Sequence, residues 1–183
     1  MKKNIISYNL VWLLLVIIPG CSVFSPIGDG ITTGFQSFVG YFNTYYNAID
    51  AFKLGEESVN SYYNTPKNSY PALDILREVS YAEVPADARG NFDKVVEKGS
   101  KILNYYNKSV LVDDALLLMG KSYFYNLEYT RAERKFLELL SQYPNSNLIP
   151  ETKIWCGKSF LKNRKEDEAK MMFKDVIEFA KKE

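Results

Sequence analysis

The stretch from Asp113 to Pro144 constrains the fold more than any other part of the sequence. Apolar and small residues recur in it at spacings of three and four, which is the pattern of a helix with one buried face. Residues 126–128 interrupt the pattern and leave room only for a tight turn. We therefore predict an antiparallel helical hairpin. Its expected inner positions are Leu116, Met119, Gly120, Tyr123, Tyr129, Ala132, Phe136 and Leu139.

The same pattern returns 37 residues further along the chain. Self-similarity at a fixed period is typical of stacked repeats, because one hairpin alone cannot bury its apolar face. We predict an all-α fold in which antiparallel hairpins, clearest at 113–146 and 150–183, stack as a short solenoid. The matching pairs are Gly120 with Gly157, Tyr123 with Phe160, Ala132 with Ala169, Phe136 with Phe173, and Leu139 with Val176.

Two further helices are predicted ahead of these hairpins. Residues 34–63 carry aromatic side chains at helical spacing and predict a long N-terminal helix. Residues 86–107 predict a helix that packs on it and against the hairpin at 113–146, and residues 71–77 predict a short helix between the two. The aromatic face is either a core surface that caps the first repeat or a surface that stacks on sugars or peptides. Its residues are Phe35, Phe38, Phe42, Tyr45, Ile49 and Phe52.

The N terminus has the pattern of an export signal. A basic start precedes an apolar run at 10–18, which is shorter than the roughly 20 residues that a spanning helix needs. The segment Ile18-Pro19-Gly20-Cys21 follows and resembles the lipobox of bacterial lipoproteins, in which the cysteine becomes lipidated. An ordinary secretory signal with an incidental cysteine is the alternative. We predict a signal peptide at 1–20, lipidation of Cys21, a flexible tether at 21–33 and an all-α domain at 34–183.

The hairpins resemble the tetratricopeptide repeat, a helical hairpin with a usual period of about 34 residues. The ending Tyr143-Pro144-Asn145-Ser146 is similar to the repeats of periplasmic lipoproteins, among them the lipoproteins of outer-membrane barrel assembly. Residues 41–48 and 109–115 resemble tetratricopeptide lipoproteins of gliding motility and type IX secretion. The resemblance implies a protein-binding scaffold, lipid-anchored to the outer membrane and facing the periplasm.

The composition argues against several functions. The absence of histidine removes the commonest general base and most zinc sites, and a net charge of +1 gives no strongly basic face for nucleic acid. The sequence has no phosphate-binding loop, nucleophile elbow or Cys-x-x-Cys pair. Cys156 is expected to be a packed thiol, and Asp113 and Asp114 are expected in a helix first turn rather than at a metal. We predict no enzyme activity, no cofactor and no metal site.

The tetratricopeptide resemblance implies a concave groove lined by the first helix of each repeat. Lysines there are expected to keep their charge in water. A groove of apolar and cationic groups suits an extended, acidic segment of another envelope protein. Binding of peptidoglycan or another glycan by the aromatic helix is the alternative function. The predicted groove residues are Asp114, Leu117, Lys121, Phe124, Tyr125, Glu151, Ile154, Lys158, Leu161 and Lys162.

Overall fold

The structure is a computed structural model that describes residues 32–35, 37–38, 44–62 and 83–181. The predicted signal peptide, Cys21 and the predicted helix at 71–77 lie outside these residues. The described part of the chain forms six helices of 14 to 20 residues and no strand. They are α1 (Tyr46–Tyr62), α2 (Ala86–Tyr105), α3 (Val112–Tyr125), α4 (Tyr129–Gln142), α5 (Ile149–Lys162) and α6 (Glu166–Ala180).

The six helices pack as three hairpins in chain order. We call α1–α2 hairpin 1, α3–α4 hairpin 2 and α5–α6 hairpin 3. The second helix of each hairpin packs on the first helix of the next, and the first helices α1, α3 and α5 also touch in sequence. This is the predicted all-α arrangement of tetratricopeptide-like hairpins stacked as a short solenoid. Among the described helices, none is long and apolar enough to cross a bilayer.

A glycine and a phenylalanine meet at the crossing of each hairpin. A Cβ added at Gly120 would lie 2.3 Å from Phe136 Cε1, and one at Gly157 would lie 2.7 Å from Phe173 Cε1. The two predicted close approaches are therefore present, because only a glycine leaves room for the ring.

Hairpin 1 shows the same crossing. A Cβ at Gly55 on α1 would lie 2.6 Å from Phe92 Cε1 on α2. Ala88 and Val95 are fully buried on α2, as Ala132 and Leu139 are on α4. The predicted N-terminal helix is therefore part of the stack of hairpins, since α1 and α2 form a further hairpin of the same kind.

The turns within hairpins 2 and 3 have one backbone geometry. Leu127 and Arg164, at equivalent positions, have φ values of 64° and 58°. The Glu128 N–H donates to Tyr123 O at 2.8 Å, and Leu127 N–H donates to Phe124 O at 3.0 Å. These two bonds form a Schellman motif, in which a left-handed residue ends the helix and satisfies its last carbonyls.

The connections between hairpins are also repeated. Ser109 Oγ accepts the Leu111 N–H and Ser146 Oγ accepts the Leu148 N–H, each at 3.1 Å. The Ser146 hydroxyl also donates to Asp113 Oδ2 at 2.6 Å. Asp113 and its neighbour lie in the first turn of α3, as the sequence predicts. Asp113 thereby fixes the start of hairpin 2 to the start of hairpin 3.

Candidate protein-binding surface

An aromatic cluster joins the three hairpins along the first helices. The rings of Phe92 and Tyr125 stack with centroids 5.0 Å apart and planes inclined by 4°. Phe52 lies 5.7 Å from Phe92, and Phe124 lies 5.3 Å from Trp155 on α5. Such pairs each add about 0.5–1.5 kcal/mol beyond their buried area. The cluster therefore holds hairpin 1 to hairpin 2 and hairpin 2 to hairpin 3.

Lysine side chains cover the rings of this cluster. Lys121 Nζ lies 5.0 Å from the Phe52 ring centroid and 5.2 Å from that of Trp155. Lys158 Nζ lies 3.8 Å from the Trp155 centroid. Lys121 also pairs with Glu151 on α5 at 3.2 Å. A cation over an aromatic ring is stabilised by about 0.5–2 kcal/mol, the more so where water is excluded.

The structure divides the ten predicted groove residues into two groups. Leu117, Phe124, Tyr125 and Lys158 are buried and belong to the packing between hairpins. The prediction that a lysine at these positions keeps its charge in water is wrong for Lys158, which is 4% exposed. The reason is the Trp155 ring one turn earlier on α5, against which the ammonium packs. The accessible residues are Asp114, Lys121, Glu151, Ile154, Leu161 and Lys162.

Partial burial changes the acidity of two accessible groups. Burial, and then the neighbouring charge of Asp113, raises the pKa of the Asp114 carboxyl. Burial lowers the pKa of the Lys162 ammonium, whose Nζ lies 5.5 Å from the Tyr129 ring centroid. Both pKa shifts favour the uncharged form, as expected for a charged group that loses contact with water.

Sequence reasoning missed a polar contact that joins each hairpin to the preceding one. Asn126, just after α3, donates from Nδ2 to Asp93 Oδ1 on α2 at 2.9 Å. Asn163, just after α5, donates to Glu133 Oε2 on α4 at 2.9 Å. Lys165 donates to the other oxygen of Glu133 at 2.6 Å, and this bond raises the pKa of the lysine. The signal was available, because Asn126 and Asn163 are one repeat apart.

The N-terminal aromatic stripe splits between core and surface. Phe52 is buried in the aromatic cluster, as the core interpretation predicts. Phe35 and Phe38 are 68% and 63% exposed, and Tyr46 is also exposed. The remaining surface aromatics therefore lie ahead of and at the start of α1.

Cys156 is a fully buried, free thiol on α5. Burial, reinforced by the negative charge of Glu133, raises its pKa to about 12. A thiol with such a pKa is protonated and unreactive at neutral pH. The prediction of a packed thiol is confirmed. No group of three His, Cys, Asp or Glu side chains in the described residues is placed to hold a metal ion.

Three hairpins with repeated crossings, turns and connections define a helical-repeat protein. Residues 114–146, which span α3, α4 and the start of the following connection, match the tetratricopeptide repeat family. No curated protein and no solved structure matches the chain significantly. This match and the stacked hairpins support a tetratricopeptide-repeat protein. Such repeats commonly mediate protein–protein binding, and proteins built from them are generally scaffolds rather than enzymes.

Proposed function

We propose that this protein is a lipid-anchored scaffold that binds other cell-envelope proteins through the inner face, the surface formed by the first helices α1, α3 and α5. One observation supports this most directly. The Lys121–Glu151 ion pair at 3.2 Å crosses from α3 to α5 and stays partly open to solvent. A surface formed by two hairpins together can recognise a segment that neither hairpin could bind alone.

The chemistry of the inner face favours an extended segment with acidic and apolar residues. Lys121 and Lys162 supply positive charge, while Ile154 and Leu161 supply accessible apolar surface. Glu151 engages part of the charge of Lys121 in the unbound protein. A carboxylate of the partner would compete for Lys121, so charge would determine which segment binds and in what register.

The anchor and the location belong to the same proposal. The lipobox-like segment ending at Cys21 supports lipidation, and the tether at 21–33 would let the helical domain stand clear of the bilayer. The resemblance to periplasmic lipoproteins favours the periplasmic face of the outer membrane. Outer-membrane protein assembly and the secretion or gliding machinery are the two candidate settings for the partner.

A charge swap across the ion pair tests the inner face. The variant Lys121→Glu/Glu151→Lys keeps opposite charges at both ends of the contact but reverses the pattern presented to a partner. We expect helical content close to that of the wild type. The loss of the cation over the Phe52 and Trp155 rings should cost about 1 kcal/mol. Affinity pull-down from the detergent-solubilised envelope should recover the wild-type partners poorly with this variant.

The matched control is a swap on the outer side of the solenoid. Lys135 and Glu138 form an ion pair at 2.7 Å on α4, so Lys135→Glu/Glu138→Lys also exchanges one lysine for one glutamate. This control should recover the same partners as the wild type. Equal recovery with both swapped variants would exclude the inner face as the binding surface.

Binding of a glycan is the second candidate, favoured by the exposed rings of Phe35, Phe38 and Tyr46. Co-sedimentation with purified peptidoglycan sacculi tests it. Retention that is lost in Phe35→Ala/Phe38→Ala and kept in the inner-face swap would replace the scaffold proposal with the glycan one.

A further inference from the structure

The chain contains the same hairpin-to-hairpin interface twice. The interface between hairpin 2 and hairpin 3 has an apolar part and a polar part. In the apolar part, Phe124 is 1% exposed and its ring lies 5.3 Å from Trp155. In the polar part, Glu133 accepts hydrogen bonds from Asn163 and Lys165. The interface between hairpin 1 and hairpin 2 is similar, since Asp93 accepts a hydrogen bond from Asn126.

On hairpin 3, no described residue covers the surface that is equivalent to these interfaces. Leu161, one repeat after Phe124, is 41% exposed, and Ile177, one repeat after the half-buried Leu140, is 55% exposed. Ile154, one repeat after the buried Leu117, is also accessible. We call the surface formed by Ile154, Leu161, Lys170, Lys174 and Ile177 the end face. It shares Ile154 and Leu161 with the inner face, whereas Lys170, Lys174 and Ile177 belong to the end face alone.

The end face has lysines at two positions that carry a carboxylate at an internal interface. Lys170 is one repeat after Glu133. Lys174 directly follows the crossing residue Phe173, as Asp93 directly follows Phe92 on α2. The two lysines are one helical turn apart on the same side of α6 and both are exposed. At each internal interface a carboxylate at one of these two positions accepts a hydrogen bond from the next turn, whereas hairpin 3 has a lysine at both positions. Lys174 also pairs with Glu178 on α6 at 3.8 Å. A turn that brings the Lys165 ammonium against these lysines would be repelled there.

We infer that the end face binds an amphipathic helix of another protein, one that carries carboxylates where the turn of hairpin 3 carries Asn163 and Lys165. The apolar residues supply the same kind of contact surface that each internal interface buries. Charge complementarity requires the partner to be acidic at the end of the helix that approaches Lys170 and Lys174. A two-fold pairing of α6 about an axis between Lys170 and Lys174 would bring the lysines of both copies together, which disfavours that arrangement of a second copy.

A pair of peptides tests the inference. The first is the segment 146–165, which carries α5 and its turn, with Asn163→Asp and Lys165→Glu. The second is the unchanged segment 146–165. Fluorescence anisotropy with the full chain in detergent micelles, under reducing conditions, measures both affinities. We expect the acidic peptide to bind at least about ten-fold more tightly than the unchanged one, with the difference shrinking as salt is raised.

Two surface variants locate the binding. Lys170→Glu/Lys174→Glu should reverse the preference between the peptides, and Ile177→Asp should weaken both. Ile177 is exposed, so the folded domain should survive, which circular dichroism verifies. Failure of the acidic peptide to bind, equal affinity for both peptides, or binding insensitive to Ile177→Asp would each overturn the inference. So would a dimer in sedimentation velocity that Ile177→Asp dissociates, because the end face would then belong to a second copy.

Discussion

Replacement of Gly120 by alanine tests the crossing on which the repeat depends. The added methyl group would lie 2.3 Å from Phe136 Cε1 and 2.7 Å from Cδ1. Ordinary contact between carbon atoms is about 3.5–4.0 Å, so the ring must move by about 1 Å or more. Phe136 is fully buried and its ring cannot bend away. The two helices must therefore separate or the ring must leave its preferred rotamer, at a cost of about 1–3 kcal/mol.

Helix propensity works in the opposite direction and has to be removed by a control. Alanine inside a helix is favoured over glycine by about 1 kcal/mol. Gly90 lies on the exposed side of α2, and a Cβ there meets no atom within 4 Å. Gly90→Ala should therefore gain about 1 kcal/mol with no packing cost. The difference between the two variants then isolates the packing cost at Gly120, about 1–3 kcal/mol.

Thermal unfolding followed by circular dichroism at the helical band measures this difference. For a domain of this size 1 kcal/mol moves the Tm by about 2–4 °C, so Gly90→Ala should melt about 2–12 °C above Gly120→Ala. Phe136→Leu in the Gly120→Ala background should recover part of the loss, since a smaller side chain accommodates the methyl group. Equal Tm values for the two alanine variants would refute the close approach and with it the pairing of α3 with α4.

Three further outcomes are expected. Arg164→Gly should raise the unfolding free energy by about 0.5–1 kcal/mol, because Arg164 is exposed and has a φ of 58° that glycine adopts without strain. Chemical denaturation measures this change, and an unchanged midpoint would contradict the turn geometry. Cys156, with a pKa raised to about 12, is only about one part in ten thousand thiolate at pH 8. In the Cys21→Ser variant, where Cys156 is the one remaining thiol, Ellman's reagent should therefore label it only after denaturation; rapid labelling of that variant in its native state would contradict the burial of Cys156. Cys21→Ser should abolish incorporation of a fatty-acid analogue in cells, and a wild type that never incorporates the analogue would remove the lipid anchor from the proposed function.

The sequence predicts hairpins 2 and 3 because their inner residues recur at one spacing. Gly120 and Phe136 are separated by the same number of residues as Gly157 and Phe173. Hairpin 1 escapes this comparison because residues 63–82 lie between its two helices and lengthen the separation of Gly55 from Phe92. A local clue remains, since Tyr106 and Ser109 precede α3 as Tyr143 and Ser146 precede α5.

The burial of the predicted groove residues could not be read from the sequence, for a physical reason. Equivalent positions in two repeats have equivalent places on a helix, but their burial depends on what the next hairpin brings against them. Phe124 is buried because α5 covers it, whereas Leu161 is exposed because no described helix follows α6 on that side. Periodicity determines which face a residue occupies. It does not determine whether a neighbouring hairpin covers that face.

The asparagine–carboxylate contacts between hairpins also determine how local stability is distributed along the solenoid. Each contact ties the turn of one hairpin to the second helix of the hairpin before it, so opening a hairpin breaks bonds on its neighbour. Hairpin 2 is held in this way on both sides. Among the described residues, hairpin 3 has such a contact on one side, and Ala169 is the only fully buried residue of α6. In a nearest-neighbour description of repeats, amide hydrogens of α6 should exchange first and those of α3 and α4 last. A ligand bound at the end face would act as a second neighbour of hairpin 3. Its binding should therefore slow amide hydrogen exchange across the whole of hairpin 3.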